Sequence, residues 1–427
     1  MNVLLIGSGG REHALAWAIA KSPLCDQLYT APGNPGTAQC GRNVALDVQN
    51  FEEVLQFIES HDIALTVVGP EQPLVEGIAD YLIDRNHAVF GPSKAAARLE
   101  GSKQFAKDFM SRHHIPTAAY RVFTHEQFQD AASYITSQNS YPVVLKADGL
   151  AGGKGVLIPE SEQEAMDALK ELKEGQLKQA SEILVIEEFM EGEEASVFAI
   201  CDGNGFEIIG TAQDHKRQLD GDKGPNTGGM GAYSPSPLMT DEMLRVVREQ
   251  IIEPTIRGMK EEGSPYTGFL YVGLMLTQDG PKVVEYNCRF GDPECQVIIP
   301  RLESDVLQHM YQSTQGALEA EQITFDTHYR TTVVLVSGGY LGSYQKEQPI
   351  NGLEQAETLT DIQVFHAGTK EVNGEILSAG GRVMNVVGAG PTLQSSIAKA
   401  YEGVECIHFN TMFYRKDIGS KGLKHVS

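Results

Sequence analysis

Short apolar runs that end in glycine- and proline-rich turns recur through the first hundred residues. The pattern predicts strands at Val3–Ile6, Leu28–Thr30, Ala64–Val68 and Ala88–Phe90, with an Ala- and Leu-rich helix after the first turn. Repeated strand–turn–helix units are typical of a doubly wound parallel sheet. Ligands of such sheets bind outside the carboxyl ends of the strands, where these turns lie.

The pattern changes near Lys103. Short strands are predicted at Pro142–Lys146, Val156–Ile158 and Ile183–Glu188, with an amphipathic helix before the last of them, which together indicate a small lid of sheet and helix. Longer apolar strands follow at residues 195–200, 208–212, 269–276 and 283–286. After residue 329 the chain is strand-rich, with one late helix near residues 395–402.

Length and composition agree with several domains. At about 150 residues per domain, a chain of 427 residues suggests about three. We expect a doubly wound domain at residues 1–102, a central domain at 103–328 with its lid at about 120–191, and a strand-rich domain at 329–427. Contents of 41% hydrophobic and 21% charged residues are typical of a soluble globular enzyme.

The formal net charge of −23 argues against general affinity for nucleic acid or for an anionic membrane. Anionic ligands therefore need local positive sites. We expect no transmembrane helix, because no apolar stretch approaches ~18 residues, and no signal peptide, because Met1–Ile6 lacks a basic region. The six cysteines form no Cys-x-x-Cys pair, so a reducing cytosol is the expected compartment.

The first turn, Gly7-Ser8-Gly9-Gly10-Arg11-Glu12, is close to the dinucleotide-binding fingerprint but fails it. Its sixth position is Glu12 instead of glycine, and no acidic residue ends the second strand to bind a ribose. An NAD-dependent dehydrogenase or sensor is therefore disfavoured. The glycines still expose backbone N–H groups at a helix N-terminus, which favours a phosphate. The alternative is a tight turn without a ligand.

A second glycine-rich loop, Lys146–Gly155, joins two predicted strands. It is not a Walker A loop, because Asp148 stands where glycine is required and Gly155 replaces Ser or Thr. Its glycines allow the backbone to close over phosphates, and Lys146 can reach phosphate oxygens from the strand. The alternative is a flexible hairpin.

The run from Glu285 to Glu294 carries the strongest chemical signal. Side chains alternate along a strand, so Glu285 and Asn287 are predicted to share one face. A carboxylate and an amide oxygen suit Mg²⁺, which keeps phosphate oxygens and water as its other ligands. Arg289 is placed to hold a transferring phosphoryl group. The alternative is a strand with polar residues at its exit into a surface turn.

From Gly7 to about Arg382, these motifs resemble the glycinamide ribonucleotide synthetase family, ATP-grasp enzymes of purine biosynthesis. The resemblance implies an ATP-grasp fold with ATP as co-substrate and Mg²⁺ (or Mn²⁺) on Glu285 and Asn287. It also implies ligation of glycine to 5-phosphoribosylamine through glycyl phosphate, which gives glycinamide ribonucleotide, ADP and phosphate. A monomer without nucleic-acid or membrane partners is expected.

The resemblance also implies roles for single residues. The implied ATP-binding residues, in the lid, at its base and in an adenine-binding hinge, are Lys103, Lys146, Gly152, Gly153, Lys154, Gly155, Glu187, Glu188, Phe189 and Glu194. The implied substrate-binding residues are Gly9, Gly10, Glu71, Asp214, Lys216, Arg289, Gly291, Asp292 and Arg382. Catalytic roles fall on Arg289, Lys146 and Asp214. Taken alone, the acidic hinge is more typical of a solvated turn.

Two of these positions, Lys216 and Arg382, keep an alternative. Asp214 suits the ammonium group of glycine, and Lys216 suits phosphate or is a basic surface residue. Residues 221–235 are predicted as a long glycine-rich loop. Arg382, between a turn and a strand, is suited equally to a substrate phosphate and to a structural role.

Two questions stay open at the level of the sequence. The main competing function is that of another ATP-grasp ligase or carboxylase, which would use formate or bicarbonate. The sequence shows no dedicated general base for the reaction. Cys295 departs from the threonine usual in the family, and Cys288 lies seven residues earlier. The two thiols are either a reactive pair beside Arg289 or buried apolar fillers.

Overall fold

A parallel sheet forms the N-terminal part of the protein. The computed structural model describes residues 1–149, 155–173, 183–319 and 322–426. This first sheet has five strands in the order β3–β2–β1–β4–β5. They are β1 (Asn2–Gly7), β2 (Gln27–Pro32), β3 (Arg42–Asn43), β4 (Ile63–Val68) and β5 (Val89–Phe90). The predicted doubly wound arrangement is confirmed.

Helices occupy the connections of this sheet and lead out of it. They are α1 (Gly10–Ile19), α2 (Pro35–Cys40), α3 (Phe51–Ser60), α4 (Glu71–Glu76), α5 (Ile78–Ile83), α6 (Arg98–Gly101) and α7 (Lys103–Arg112). Side-chain caps fix where two of them begin. Asn34 accepts from the backbone N–H groups of α2, and Ser102 accepts from Phe105 N at the start of α7.

The lid is a separate four-stranded antiparallel sheet in the order β6–β9–β7–β8. Its elements are β6 (Tyr120–Thr124), α8 (Phe128–Gln138), β7 (Val143–Ala147), β8 (Val156–Leu157), α9 (Glu162–Glu171) and β9 (Ile183–Glu188). Its helices and strands share an apolar core that includes Phe123, Leu145, Leu169 and Leu184. The lid therefore buries its own apolar faces.

A long antiparallel sheet forms the rest of the molecule, in the order β16–β15–β10–β11–β14–β17–β21–β18, with β22 also on β17. The chain segment that supplies its first strands contains β10 (Glu193–Asp202), β11 (Phe206–Asp214), β12 (Arg217–Leu219), β13 (Lys223–Asn226), β14 (Gly231–Ser234), α10 (Asp241–Val247), α11 (Glu253–Glu261), β15 (Thr267–Thr277), β16 (Gly280–Asn287), α12 (Cys295–Ile298) and α13 (Val306–Thr314). Strands β12 and β13 pair with each other in a separate two-stranded sheet. A π-helical segment, Arg248–Ile252, joins α10 to α11.

The C-terminal part continues this sheet. It comprises β17 (Tyr329–Ser337), α14 (Leu353–Glu357), β18 (Ile362–His366), β19 (Thr369–Val372), β20 (Glu375–Ser378), β21 (Arg382–Gly390), α15 (Leu393–Cys406) and β22 (Met412–Phe413). The predicted late helix is α15, and α14 is a short helix that the sequence pattern did not reveal. No helix among the described residues is long and apolar enough to cross a membrane.

One prediction about this region is wrong. Residues 221–235 were expected to form a loop, but they contain β13 and β14. Strand β14 pairs with β11 on one side and with β17 on the other. The glycine content lowers local strand propensity, and these long-range pairings override it.

Candidate active site

A cavity of about 850 Å³ lies where the first sheet, the lid and the long sheet meet. Most of the residues predicted from the sequence line it. These are Glu71, Lys103, Lys146, Gly155, Glu187, Glu188, Phe189, Glu194, Asp214, Lys216, Glu285, Asn287, Arg289, Gly291, Asp292 and Arg382. Side chains that are distant in sequence therefore converge on one space.

Two of the described residues predicted from the sequence, Gly9 and Gly10, are not in this wall. Gly9 and Gly10 lie behind it, where a side chain on Gly10 would collide with Asn385 and Gln296. Gly152, Gly153 and Lys154 lie outside the described residues.

The end of β16 presents the two predicted metal ligands. Glu285 and Asn287 both line the cavity, while Tyr286 between them bonds to Thr255 in the core. In the described part of the chain Glu285 forms no ion pair. The hydrogen-bonding surroundings of Asn287 favour the amide orientation in which its nitrogen donates to Glu100 Oε1, 3.1 Å away, and in that orientation its oxygen is available to a ligand. The pair therefore offers two hard oxygen ligands.

Arg289 is held by two carboxylates. Its Nε lies 3.1 Å from Glu71 Oε2, and its second guanidinium nitrogen lies 3.0 Å from Glu100 Oε1. Burial disfavours the charge, but Glu100 and Glu71 raise the pKa of Arg289. Glu100 also accepts from Cys288 N at 2.7 Å. Glu100, which sequence reasoning missed, thus orients the whole exit of β16.

Three lysines and one glutamate form what we call the lysine cluster: Lys103, Lys107, Lys146 and Glu187. Glu187 lies 2.9 Å from Lys146 Nζ and 3.0 Å from Lys107 Nζ, with all three side chains buried. Burial lowers the pKa of Lys107 to about 8, although Glu187 opposes this shift. Glu187, predicted as an ATP-binding residue, thus holds two lysines in place. The sequence revealed neither this pairing nor Lys107 as part of the site.

The base of the lid is tied to α7. Lys103 Nζ donates to Gly149 O at 2.8 Å, and Asp148 accepts from Ser102 Oγ at 3.1 Å and from Lys103 N. Asp148, the residue that rules out a Walker A loop, thus binds the N-terminus of this helix. Negative charge at a helix N-terminus is favourable.

The predicted hinge lies directly after β9. Glu188 accepts from Ala119 N at 3.0 Å, and Phe189 is among the exposed large apolar side chains. Glu194 pairs with Lys216 at 2.6 Å, and Lys216 lowers the pKa of Glu194. Lys216 is therefore engaged by a carboxylate from the neighbouring strand.

Two other carboxylates, Asp214 and Glu294, form what we call the acid pair. Both residues are at least nine-tenths buried, and neither forms an ion pair with any described residue. Burial raises the pKa of Asp214, although Lys216 opposes this shift. Burial and the charge of Asp214 raise the pKa of Glu294 to about 8. Sequence reasoning assigned no role to Glu294; its acidic side chain directly after Pro293 was the available signal.

The turn after β1 is filled by the protein itself. Glu12 accepts from Gly9 N at 2.6 Å and pairs with Arg11 at 2.6 Å. A side chain on Gly7 or Gly69 would collide with Glu12. Glu12, which breaks the dinucleotide fingerprint, therefore fills the space beside Gly7 and Gly69.

Arg382 bridges two loops of the cavity wall. It donates to Gly228 O and Asp292 O, each at 2.6 Å, and lies 3.4 Å from Asp292 Oδ2. Gln296 Nε2 donates to Asp292 Oδ1 at 2.8 Å. Arg382 therefore has a structural role in this state and still presents its guanidinium to the cavity.

Cys288 and Cys295 are 1% and 0% exposed. Burial raises the pKa of both thiols. Cys295 Sγ lies 3.6 Å from Arg11 O, in the packed interface behind the cavity. These contacts favour the apolar-filler alternative over the reactive pair.

Comparison with known proteins agrees along the whole chain. Three family models match: phosphoribosylglycinamide synthetase N domain at residues 1–100, its ATP-grasp (A) domain at 101–295 and its C domain at 330–421. A phosphoribosylamine–glycine ligase from Rhizobium meliloti is 50% identical over 98% of both chains. The Pseudomonas aeruginosa protein of that name is 48% identical over 99% of this chain and 98% of its own.

Solved structures give the same result. The crystal structure of phosphoribosylamine–glycine ligase from Thermotoga maritima matches with a TM-score of 0.84 and 36% identity, over 98% of this chain and 100% of that one. The biotin carboxylase domain of a Hydrogenobacter thermophilus carboxylase shares the fold alone, with a TM-score of 0.72 and 19% identity over 96% of this chain and 91% of that one. The chain belongs to the phosphoribosylglycinamide synthetase family and has its ATP-grasp fold.

Proposed function

We propose that this chain catalyses the ATP-dependent ligation of glycine to 5-phosphoribosylamine, giving glycinamide ribonucleotide, ADP and phosphate. The observation that carries the proposal is one cavity that joins a paired lysine cluster, two oxygen ligands on β16 and a buried, unpaired Asp214. Its parts suit a nucleoside triphosphate, a divalent cation and a small ammonium compound. Relatives about half identical over nearly their full length carry the name of this activity.

ATP is proposed to lie between the lid and β16. Lys146 and Lys103 would contact its phosphates, together with Gly152, Gly153, Lys154 and Gly155 of the lid loop. The hinge residues Glu188 and Phe189 would border the adenine. Lys107 is added to this set, because it shares Glu187 with Lys146. Glu194, predicted to meet the ribose, keeps that role in the proposal.

Mg²⁺ (or Mn²⁺) is the proposed metal, and the residues present fit it. Glu285 has no ion pair in the described chain, and the favoured amide orientation of Asn287, with its nitrogen on Glu100, leaves its oxygen available. The metal would supply neutralisation of charge on the ATP phosphates. In the described part of the chain no cluster of three or more acidic, His or Cys ligands is found, which suits an ion that shares its coordination with phosphate and water.

The two other substrates are assigned to opposite sides of the strand exit. Asp214 would bind the ammonium group of glycine, with Lys216 beside it. Glu71, Gly291, Asp292 and Arg382 would border the phosphoribosylamine, with Gly9 and Gly10 behind them. Arg289 lies between these groups and contacts Glu71 directly.

The chemistry requires little covalent work from the protein. The glycine carboxylate attacks the γ-phosphoryl group, and the amine then displaces phosphate from glycyl phosphate. Arg289 and Lys146 would offset the developing charge, and the cavity walls would align the reacting atoms. Closure of the lid would exclude water, which would otherwise hydrolyse the acyl phosphate.

Substrate-dependent ADP release tests this function. Wild-type protein is mixed with Mg-ATP and 5-phosphoribosylamine, and glycine, formate and bicarbonate are added in turn. Glycine alone should support ADP release, with formation of the amide product. Release with formate or bicarbonate instead would identify another ATP-grasp ligase or carboxylase.

The proposal also covers the protein's setting. The absence of Cys-x-x-Cys pairs supports a cytosolic enzyme, and the net charge of −23 supports one without nucleic-acid partners. We also propose that it acts as a monomer. Light scattering at micromolar concentration should give a mass near 46.5 kDa. A mass twice as large would show that the protein is a dimer and not a monomer.

A further inference from the structure

The proposed function assigns no role to Glu294, a carboxylate that lines the cavity. Glu71 and Glu100 pair with Arg289, and Glu187 and Glu194 pair with lysines. Glu285 and Asp214 have proposed ligands. Glu294 alone of this set has neither an ion pair in the described chain nor an assigned ligand, although its residue is only 5% exposed.

The position of Glu294 is defined by the turn after β16. Its carboxyl group lies over Gly291, since a side chain on that glycine would come within 2.4 Å of Glu294 Oε2. The same turn carries Asp292, whose Oδ2 lies close to Gly9 of the first sheet. Glu294 and Asp214 both line the cavity, and the charge of Asp214 acts on Glu294. Glu294 therefore lies near the proposed glycine site and also in the turn that carries Gly291 and Asp292, which belong to the proposed phosphoribosylamine site.

We propose that Glu294 is the proton acceptor for the attacking amine in the second half of the reaction. The inference rests on the proposed function and adds a base that the sequence did not reveal. Its grounds are the burial of Glu294, its lack of an ion pair and its place near both proposed substrate sites.

The proton balance of that step requires such a group. The nitrogen lone pair of the amine forms the C–N bond to glycyl phosphate, and the C–O bond to phosphate breaks with its electron pair on oxygen. The nitrogen must lose one proton, and the departing phosphate, formally a trianion, needs one. Glu294 takes the proton from nitrogen and passes it to phosphate or water, so no further reactant is needed.

The surroundings of Glu294 tune it for this task. The charged and titratable groups that face it are Asp214, Lys216, Arg289, Tyr271 and Cys295. Burial and Asp214 raise its pKa to about 8, while Lys216 and Arg289 act in the opposite direction. A base with a pKa near the working pH both accepts and returns a proton efficiently.

Rapid-quench kinetics of Glu294→Gln separate this role from glycine binding. With all substrates present, the variant should form ADP early, at close to the wild-type rate, and amide product about 10²–10⁴-fold more slowly. ADP and product that appear together at one reduced rate would overturn the inference, and so would an unchanged product rate. Glu405→Gln, an exposed carboxylate on α15, is the matched control.

A pH profile gives the second readout. In the wild type, kcat with all substrates saturating should rise with pH as Glu294, whose pKa is raised by burial, becomes ionised, because the acceptor must be ionised when the amine attacks. The Glu294→Gln variant should lose this limb, and Glu405→Gln should keep it. A limb that persists in Glu294→Gln would assign it to another group, and the proton acceptor would not be Glu294.

Two controls keep the outcome interpretable. If Glu294→Gln lacks the wild-type melting transition, Glu294→Asp carries the same test, with ADP again expected ahead of product. A wild-type protein that releases no glycine-dependent ADP with 5-phosphoribosylamine would reject the proposed function itself. That result differs from a failure of the variant test.

Discussion

The lysine cluster and the acid pair face the same cavity but differ in how their charges are balanced. In the lysine cluster Glu187 lies within 3.0 Å of two lysines, Lys107 and Lys146, and Lys103 donates to Gly149 O instead. In the acid pair two carboxylates are buried without an ion pair in the described chain. The first group is organised and still net positive, which suits phosphates. The second is net negative when ionised, which suits a cation.

The buried carboxylates without an ion pair indicate where the reacting groups lie. Burying a carboxylate without a partner destabilises the fold, and burial raises the pKa values of Asp214 and Glu294 accordingly. Such perturbed groups cluster at functional sites. In a chain with a net charge of −23, the global field would repel anions. The charge balance within the lysine cluster and within the acid pair therefore determines whether each group accepts an anion or a cation.

The largest expected effect comes from Glu285, whose charge acts on both Lys103 and Lys216. Glu285→Gln removes the charge of the proposed metal ligand that acts on both the lysine cluster and Lys216. Turnover should fall about 10³-fold or more, with a modest change in ATP binding, because the cation stabilises charge mainly in the transition state. Turnover within a few-fold of wild type at saturating Mg²⁺ would defeat the metal assignment.

Asp214→Asn tests the acid pair. Loss of the charge partner should weaken glycine binding by about 2–5 kcal/mol, while the ATP requirement changes little. Steady-state kinetics with each substrate varied in turn give both values. Equal changes for all three substrates would show that Asp214 is structural.

Lys107→Gln tests the lysine side. Glu187 would then hold Lys146 alone, and the KM for ATP should rise about tenfold, by about 1.4 kcal/mol, with a smaller change for glycine. Lys399→Gln, at a half-buried lysine on α15 that pairs with Glu402 away from the cavity, is the matched control. A larger effect on glycine than on ATP would place Lys107 outside the nucleotide site.

The smallest effect is expected at the thiols. Because Cys288 and Cys295 are almost fully buried and burial raises their pKa values, native protein should resist alkylation at both, with or without Mg-ATP. Mass spectrometry of the treated protein locates any adduct. Modification at either position with parallel inactivation would restore the reactive-pair alternative.

The sequence predicted the framework well where local pattern determines structure. Each buried strand predicted in the first sheet is present, and period-two alternation placed Glu285 and Asn287 correctly on the cavity side. Those features depend on neighbours within a few residues. The boundaries at residues 102 and 328 stay predictions.

What the sequence did not reveal depends on distant contacts. Glu100 meets Cys288 N across 188 positions, and Lys107 meets Glu187 from another sheet. No spacing rule links such residues. The strand at Gly231–Ser234 was missed for the same reason, since a partner about 100 positions later in the chain overcomes its glycine content. The strand at Lys223–Asn226 pairs locally with Arg217–Leu219, and its glycine content hid this hairpin.

Calorimetry of glycine binding tests the contrast between the lysine cluster and the acid pair most directly. Glycine is titrated into protein with Mg²⁺ and a non-hydrolysable ATP analogue at pH 7, in two buffers of different ionisation enthalpy. An ammonium ion beside the acid pair favours its ionised form, so binding should release up to about one proton, and less in Glu294→Gln. Binding heats that do not depend on the buffer, or net proton uptake, would contradict the account.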